Sequence, residues 1–193
     1  MTDRIARRPH GRTARAVYGA PDVHAFVWEP VLAALALEPS DRLLDVGCGG
    51  GVFLRRALET AGCTGTGLDH SREMVKLARE LSGAPVVQAE AEELPFGEGE
   101  FTAISCLIAF FFFADPVRVL REFRRVLVPE RGRIAVVTTP PEAKGTPAAP
   151  YPLATRGRFY GDDELERLPL EAGFGSSAVT RTDIGAQLLV ARP

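Results

Sequence analysis

The stretch Arg42-Leu43-Leu44-Asp45-Val46-Gly47-Cys48-Gly49-Gly50-Gly51 decides how this chain folds. Its apolar first half predicts a buried strand that ends at Val46, and helical periodicity begins at Val52. Between them, the glycines let the backbone turn sharply and let a ligand approach without a clash against Cβ atoms. The free N–H groups at the start of the helix can bind anionic oxygens. We therefore predict a strand, a glycine turn and a helix, with a ligand site at the turn.

The spacing of the glycines separates two classes of ligand. A dinucleotide site needs a third glycine at the position that Val52 occupies. This chain instead has Gly47, Gly49 and Gly51, with Asp45 two residues before the first of them. A carboxylate there repels a pyrophosphate but can pair with an ammonium group. A ligand with an ammonium group is therefore favoured over a dinucleotide. This ranks an NAD-dependent oxidoreductase below the two hypotheses given at the end of this section.

Strand patterns and helical patterns alternate along the chain. This alternation predicts an α/β fold, a Rossmann-like three-layer sandwich whose seven-stranded sheet is mostly parallel. The segment Asp183–Ala186 is short enough for a hairpin turn, so one strand near the C-terminus must run antiparallel. The predicted strands are Arg42–Val46, Thr64–Leu68, Pro85–Gln88, Phe101–Leu107, Arg133–Thr138, Ser177–Thr182 and Gln187–Ala191, and the predicted helices are Val52–Thr60, Ser71–Leu81, Pro116–Val128 and Asp162–Ala172.

Charge and cysteine content exclude several classes of function. The 193 residues carry a net charge of −2, which gives no overall positive field for nucleic acid. Cys48, Cys63 and Cys106 lack the paired spacing of a zinc site and indicate a reducing compartment. The longest apolar run, Ala103–Ala114, is shorter than the about 20 residues that a membrane-spanning helix needs. We therefore expect a cytoplasmic protein with no metal and with neither nucleic acid nor a membrane as partner.

Arginines crowd the N-terminus, with only Asp3 opposing them. Such a segment is typical of a solvated tail, although it can also touch phosphates or an acidic lipid surface. We predict a flexible basic tail over residues 1–15 and a single domain over residues 16–193. The arginines concerned are Arg4, Arg7, Arg8, Arg12 and Arg15.

A second acidic position lies 24 residues after Asp45, where Asp69 ends the next predicted strand. A carboxylate at that place can accept hydrogen bonds from both hydroxyl groups of a ribose. Together with Asp69, the stretch Leu43–Gly51 resembles the first motif of class I S-adenosylmethionine-dependent methyltransferases. The resemblance runs from about Trp28 to the C-terminus and is also carried by Gly67–Ser71, Gln88–Phe96, Phe101–Ile104, Asp115–Val128, Gly132–Thr138 and Glu171–Phe174.

The resemblance implies a role for individual residues in binding S-adenosylmethionine. Asp45 would face the methionine amino group, Asp69 would bind the ribose, and Glu90 would accept from the adenine amino group. Met74 would pack against adenine, or belong to a helix core. The other positions implied to contact the cofactor are Gly47, Cys48, Gly49, Gly51, His70, Ala91 and Leu107.

The chain departs from the family where the acceptor is expected. Thr102 stands where many relatives have aspartate, and no paired histidines follow the fourth strand. Phe110–Phe113 follows it instead, either as core or as an apolar wall beside the transferable methyl group, where aromatic rings favour a sulfonium. We predict that Tyr18, Phe110 and Phe112 contact the substrate.

These features favour an enzyme that moves a methyl group by in-line displacement to a small-molecule acceptor of apolar or aromatic character. The acceptor atom can be O, N or C, and the protein a monomer or a homodimer. Tyr18, His24 and Tyr160 are candidates for a base, although nothing in the sequence fixes them near the methyl group. The alternative is a non-catalytic S-adenosylmethionine-binding or interaction protein with the same fold.

Overall fold

One sheet organises the part of the chain that the computed structural model describes, residues 11–151 and 153–193. Its seven strands lie in the order β3-β2-β1-β4-β5-β7-β6. β7 is antiparallel to both of its neighbours, and the other neighbouring pairs are parallel. The strands are β1 (Arg42–Val46), β2 (Thr64–Asp69), β3 (Val86–Gln88), β4 (Ala103–Leu107), β5 (Arg133–Thr138), β6 (Ser176–Arg181) and β7 (Gln187–Arg192). The predicted fold class is confirmed.

Helices cover both faces of the sheet, as alternating side chains of the strands require. Leu44 and Ile104 point to one face, into a core with Phe123 and Leu165, while Leu43 points to the other. The helices of the described ranges are α1 (Gly11–Tyr18), α2 (Trp28–Leu35), α3 (Val52–Ala61), α4 (Arg72–Ser82), α5 (Pro116–Val126), α6 (Leu153–Arg156) and α7 (Asp162–Glu171), with short 3₁₀ helices at Ala25–Val27, Phe110–Phe112 and Pro141–Ala143.

The N-terminal segment differs most from the sequence-based prediction. Residues 11–15, which we assigned to the basic tail, belong to α1, and this helix packs against α4. The Gly11 N–H donates to Glu73 at 2.6 Å, and the Arg15 guanidinium donates to Glu80 at 2.8 Å. Arg4, Arg7 and Arg8 lie outside the described residues.

A buried cluster ties four elements together at the amino ends of the parallel strands. Arg133, at the start of β5, donates to both carboxylate oxygens of Asp41 at 2.9 and 2.6 Å. Its Nε also donates to the Leu35 carbonyl at the end of α2, at 2.7 Å. Thr102, before β4, donates to the same Asp41 carboxylate at 2.6 Å. Thr102 therefore serves this structural cluster, at the edge of the sheet opposite the glycine turn.

Among the helices described, none is both long enough and apolar enough to span a membrane.

Candidate functional site

The glycine turn folds back across the end of β2. The N–H groups of Gly47 and Cys48 both donate to the Leu68 carbonyl, at 2.8 and 3.0 Å. Gly47, Gly49 and Gly51 have φ values of 71, 53 and 74°, which are left-handed conformations that residues with a Cβ atom rarely adopt. The spaced glycines are therefore required by the backbone, and they bring the N-terminus of α3 to the carboxyl edge of the sheet.

Gly50 is not one of the spaced glycines, and its contact with the N-terminal segment explains why this position holds a glycine. A Cβ atom at Gly50 would collide with the Tyr18 carbonyl oxygen, and one at Gly49 would lie 3.2 Å from Tyr18 Cδ1. Tyr18 ends α1, so this helix delivers its last residue directly onto the turn. The N-terminal segment is consequently part of the site.

Asp45 is a buried carboxylate at the carboxyl end of β1. The Ser105 hydroxyl on the neighbouring β4 donates to it at 2.7 Å. Burial raises the pKa of Asp45 to about 7, and the negative charge of Asp69 adds to the rise while the Ser105 hydrogen bond opposes it. A cation placed beside Asp45 would reverse this shift, because an opposite charge favours the ionised form.

Asp69 is held at the end of β2 by two backbone donors. Its carboxylate accepts from the Gly49 N–H at 2.9 Å and from the Ser71 N–H at 2.8 Å, and it lies 3.6 Å from His70 Nδ1. Burial raises its pKa. Because a carboxylate offers about four lone-pair sites, Asp69 can still accept from two ligand hydroxyls.

These side chains surround a cavity of about 310 Å³, which we call the inner cavity. It lies over the carboxyl ends of β1, β2 and β4, the place where open α/β sheets bind ligands. Most of the residues predicted to bind a cofactor line it. They are Asp45, Gly47, Cys48, Gly49, Asp69, His70, Glu90, Ala91 and Leu107.

Three predicted site residues do not line the inner cavity. Gly51 begins α3 and faces Ala78, whose Cβ lies 2.9 Å from the position of an added Cβ. Met74 is fully buried in the core between α1 and α4. Phe110 is fully buried too, with its ring 5.7 Å from that of Phe113. Met74 and Phe110 are therefore core residues, the alternative that the sequence already offered for both, and their contact with cofactor or substrate stays a prediction.

A second cavity of about 1020 Å³, the outer cavity, adjoins the first. Its wall includes the proline-rich segment after β5 and the turn between β6 and β7. Arg181 and Glu142, two charged groups on this wall, form an ion pair at 2.9 Å. Val17, Phe26 and Ile184 also line the cavity and expose 39, 54 and 59% of their surfaces to solvent. The outer cavity is thus largely apolar, and the opposite charges of Arg181 and Glu142 on its wall neutralise each other.

Four residues line both cavities and form what we call the junction: Tyr18, His24, Ile108 and Phe112. His24 and Ile108 have φ values of 58 and 55°, which are uncommon outside glycine and exceptional for a β-branched side chain. Each such conformation costs about 1–3 kcal/mol and persists only where the surroundings enforce it. Of the predicted substrate residues, the structure brings Tyr18 and Phe112 to this junction.

The junction includes a residue that sequence reasoning missed. Ile108 follows Leu107 directly at the end of β4, and a position just past the carboxyl end of a central parallel strand is a sequence signal for a ligand site. Trp28 and Phe53, also missed, form an aromatic wall of the inner cavity with ring centroids 6.4 Å apart. No local pattern pairs these two residues, because they come from different helices.

Burial shifts the pKa values of Tyr18 and His24, the two titratable residues of the junction, in opposite directions. Burial raises the pKa of Tyr18 to about 12, with a further contribution from the charge of Asp69. Burial lowers the pKa of His24. At neutral pH the Tyr18 phenol is therefore protonated and the His24 imidazole is uncharged.

Comparisons with known proteins agree with this geometry. Residues 44–136 match a family model described as a methyltransferase domain. The demethylmenaquinone methyltransferase of Deinococcus radiodurans is 36% identical over 133 residues, 65% of this chain and 55% of that protein. The ubiquinone biosynthesis O-methyltransferase of Xanthomonas campestris pv. campestris is 35% identical over 135 residues, 67% of this chain and 54% of that protein.

This chain therefore spans about half the length of these curated relatives. An S-adenosylmethionine-dependent methyltransferase of Aquifex aeolicus shares the fold, with a TM-score of 0.75, 21% identity and coverage of 92% of this chain and 97% of that one. The matched domain includes the glycine turn, Asp69 and Glu90, which the structure gathers around one cavity. Residues 44–136 thus resemble the methyltransferase domain family, and the chain has the fold of an S-adenosylmethionine-dependent methyltransferase.

Proposed function

We propose that this protein transfers a methyl group from S-adenosylmethionine to a small apolar acceptor. The observation that carries the proposal is the row of carboxylates in the inner cavity, formed by Asp45, Asp69 and Glu90. Asp45 and Asp69 lie at the carboxyl ends of β1 and β2, and Glu90 comes two residues after the neighbouring β3. This spacing suits a ligand with an ammonium group at one end, a ribose in the middle and an amino-substituted ring at the other end.

Charge also supports S-adenosylmethionine as the donor. Asp45 and Asp69 are buried, and no arginine or lysine among residues 11–151 and 153–193 lines the inner cavity. A cavity of this kind favours a cationic ligand, because the ligand relieves the mutual repulsion of the carboxylates. S-adenosylmethionine carries both an ammonium group and a sulfonium. A pyrophosphate-containing cofactor would add negative charge to the same place.

The outer cavity supports an apolar acceptor. Arg181 and Glu142 on its wall neutralise each other in an ion pair, and Arg181 also binds Asp162 at 2.9 Å. The two curated relatives are named for demethylmenaquinone and for ubiquinone biosynthesis, and a ring compound with an apolar body fits these walls. Methyl transfer from an activated donor needs alignment above all, and proximity supplies up to ~7–11 kcal/mol of the barrier reduction.

Calorimetry with S-adenosylmethionine and S-adenosylhomocysteine tests the donor. We expect both to bind, and Asp69→Ala to weaken binding by roughly 10–100-fold, the effect of about 1.5–3 kcal/mol from hydrogen bonds to a charged group. Asp183→Ala, in the exposed turn before β7, is the matched control and should bind as the wild type does. Tight binding of NADH with no response to S-adenosylmethionine would refute the proposal.

Turnover separates the enzyme from its alternative. Formation of S-adenosylhomocysteine that depends on an added acceptor supports methyl transfer. Binding of the donor without turnover, across a broad panel of apolar acceptors, would instead favour a non-catalytic binding or interaction protein.

A further inference from the structure

The junction is the place where a proton acceptor could serve methyl transfer. A general base must reach the acceptor group while that group attacks the methyl carbon, so it must face donor and acceptor together. Within the described residues, the only titratable side chains that line both cavities are Tyr18 and His24. The choice of base is therefore between these two groups.

Tyr18 and Tyr160 do not meet the requirements. Because the pKa of Tyr18 is raised to about 12, its hydroxyl holds its proton at neutral pH and cannot accept another group's proton. Tyr160 packs in the core beside Phe110, with its hydroxyl oxygen buried, and lines neither cavity. Of the three bases considered from the sequence, His24 remains.

His24 has the protonation state and the freedom that a base needs. Burial keeps its imidazole uncharged at neutral pH, so one ring nitrogen has a free lone pair. None of the hydrogen bonds of the described residues involves this ring. The rings of Tyr18 and Phe26 stand edge-on to it, with centroids 6.4 and 6.0 Å away, and fix its orientation.

The backbone places this ring at some cost. The φ of His24 is 58°, and the turn is held by the Ala25 N–H, which donates to the Asp22 carbonyl, and by the Val27 N–H, which donates to the His24 carbonyl. Left-handed residues other than glycine cluster at active sites, where their position is part of the mechanism. The strain is therefore consistent with a ring that must point to the junction.

The charged groups on the two sides of the junction differ. On the side of the outer cavity, Glu142 and Arg181 compensate each other. On the side of the inner cavity, carboxylates predominate and would stabilise an imidazolium. The titratable groups facing the junction there, besides Tyr18, are Asp45, Cys48, Asp69, His70, Glu90 and Glu92.

We propose that His24 is the general base of this protein, and that the acceptor is an apolar ring compound bearing a hydroxyl group. The inference rests on the proposed function. An acceptor that is already anionic, or one methylated without losing a proton, would make no use of a neutral imidazole at this place. A phenol-type hydroxyl on an apolar body combines the chemistry of His24 with the walls of the outer cavity.

The step balances without another reactant. The acceptor oxygen forms a bond to the methyl carbon while the carbon–sulfur bond breaks, and the electron pair of that bond goes to sulfur. The acceptor O–H bond breaks, and its proton goes to the His24 imidazole. The positive charge thus passes from the sulfonium to the imidazolium, and the products are an aryl methyl ether and S-adenosylhomocysteine.

Two matched acceptors test the base. One is para-phenylphenol, and the other is its ortho-nitro derivative, whose hydroxyl is already ionised at mildly alkaline pH. His24→Gly preserves the left-handed backbone, since glycine adopts it freely. We expect this substitution to lower kcat for para-phenylphenol by ~10²–10⁴-fold, the usual contribution of a general base, and to slow the nitro derivative far less.

Chemical rescue separates a base from a structural role. Imidazole added to the assay should restore part of the activity of His24→Gly, whereas Tyr18→Phe should gain nothing from it. The wild-type rate with para-phenylphenol should fall at acid pH, with a pKa below the usual histidine value. The pH profile of His24→Gly should not show this decrease.

Three results would overturn the proposal: undiminished kcat in His24→Gly, equal slowing of both acceptors without rescue, or failure of the wild type to methylate either phenol although it binds S-adenosylmethionine. Failure to bind S-adenosylmethionine in calorimetry would instead refute the proposed function itself.

Discussion

Asp45 makes the affinity for the donor depend on pH. Its pKa of about 7 means that roughly half of the molecules carry it protonated at that pH. Only the ionised form attracts an ammonium group, so affinity for S-adenosylhomocysteine should weaken below about pH 7, by up to about tenfold per pH unit. Calorimetry from acid to mildly alkaline pH measures this, and binding near pH 7 should release protons to the buffer.

Asp45→Asn is the matched control, because it keeps the shape of the side chain. It should abolish the proton release and flatten the pH profile, and proton release as large as in the wild type would contradict the assignment.

The raised pKa of Asp45 also makes the stability of the protein depend on pH. The folded protein keeps a proton that the unfolded chain, with a pKa of 3.8, loses first. The free energy of unfolding should therefore fall as the pH rises from about 4 to about 7.

Single residues of the inner cavity could be predicted where a strand end fixes them. Asp45 and Asp69 lie at the ends of β1 and β2, and parallel strands bring their carboxyl ends to one edge. Met74 and Phe110 could not be assigned in this way. Helical spacing for the one and an aromatic run for the other fit a core as well as a ligand site, and only tertiary packing decides between them.

At the scale of elements, the contact between α1 and the glycine turn can be tested through Gly50. Gly50→Ala places a methyl group against the Tyr18 carbonyl, so backbone must move. We expect a loss of stability of about 1–3 kcal/mol, as for other overpacked sites, together with weaker binding of S-adenosylhomocysteine. Chemical denaturation and calorimetry measure the two effects.

The matched control for this substitution is Gly161→Ala. Gly161 has a φ of −64° and open space where a Cβ would stand. This variant should change neither stability nor affinity by much. Equal effects of the two substitutions would show that α1 does not constrain the turn.

The strands were predicted better than the N-terminal helices. Most strands carry apolar residues bounded by turn signals, and the observed bounds differ from the predicted ones by at most two residues. In α1, by contrast, Ala14 is the one buried residue, and besides a small apolar cluster the helix contacts α4 through the Arg15–Glu80 ion pair and the hydrogen bond from Gly11 to Glu73. Contacts between residues more than 60 positions apart leave no periodic signal in the sequence.

At the scale of the whole molecule, Arg133 is the most consequential polar residue away from the cavities. Arg133→Met leaves the buried Asp41 carboxylate without its cation, which should cost about 3–5 kcal/mol of stability. Urea denaturation measures this loss. Arg131→Met, two residues earlier and exposed, should stay within about 0.5 kcal/mol of the wild type. Equal stability of the two variants would contradict the role of the cluster.

Donor binding should order only one side of the molecule. The segments 18–28 and 107–114 contribute much of the wall of the inner cavity, whereas α7 does not touch it. S-adenosylhomocysteine should therefore slow amide hydrogen exchange in both segments and leave α7 unchanged. Hydrogen exchange with mass spectrometry resolves these regions. Uniform protection, or none in 18–28, would contradict the position of the N-terminal segment.

The shared wall between the two cavities has a consequence for finding the acceptor. Tyr18, His24, Ile108 and Phe112 contact both spaces, so a molecule in one of them alters the surface that the other presents. Thermodynamic linkage is reciprocal: if bound S-adenosylhomocysteine raises the affinity for an acceptor by some factor, that acceptor raises the affinity for S-adenosylhomocysteine by the same factor. The affinity for S-adenosylhomocysteine can thus report on acceptors, and a library of unlabelled compounds can be screened by that affinity before any reaction product is known.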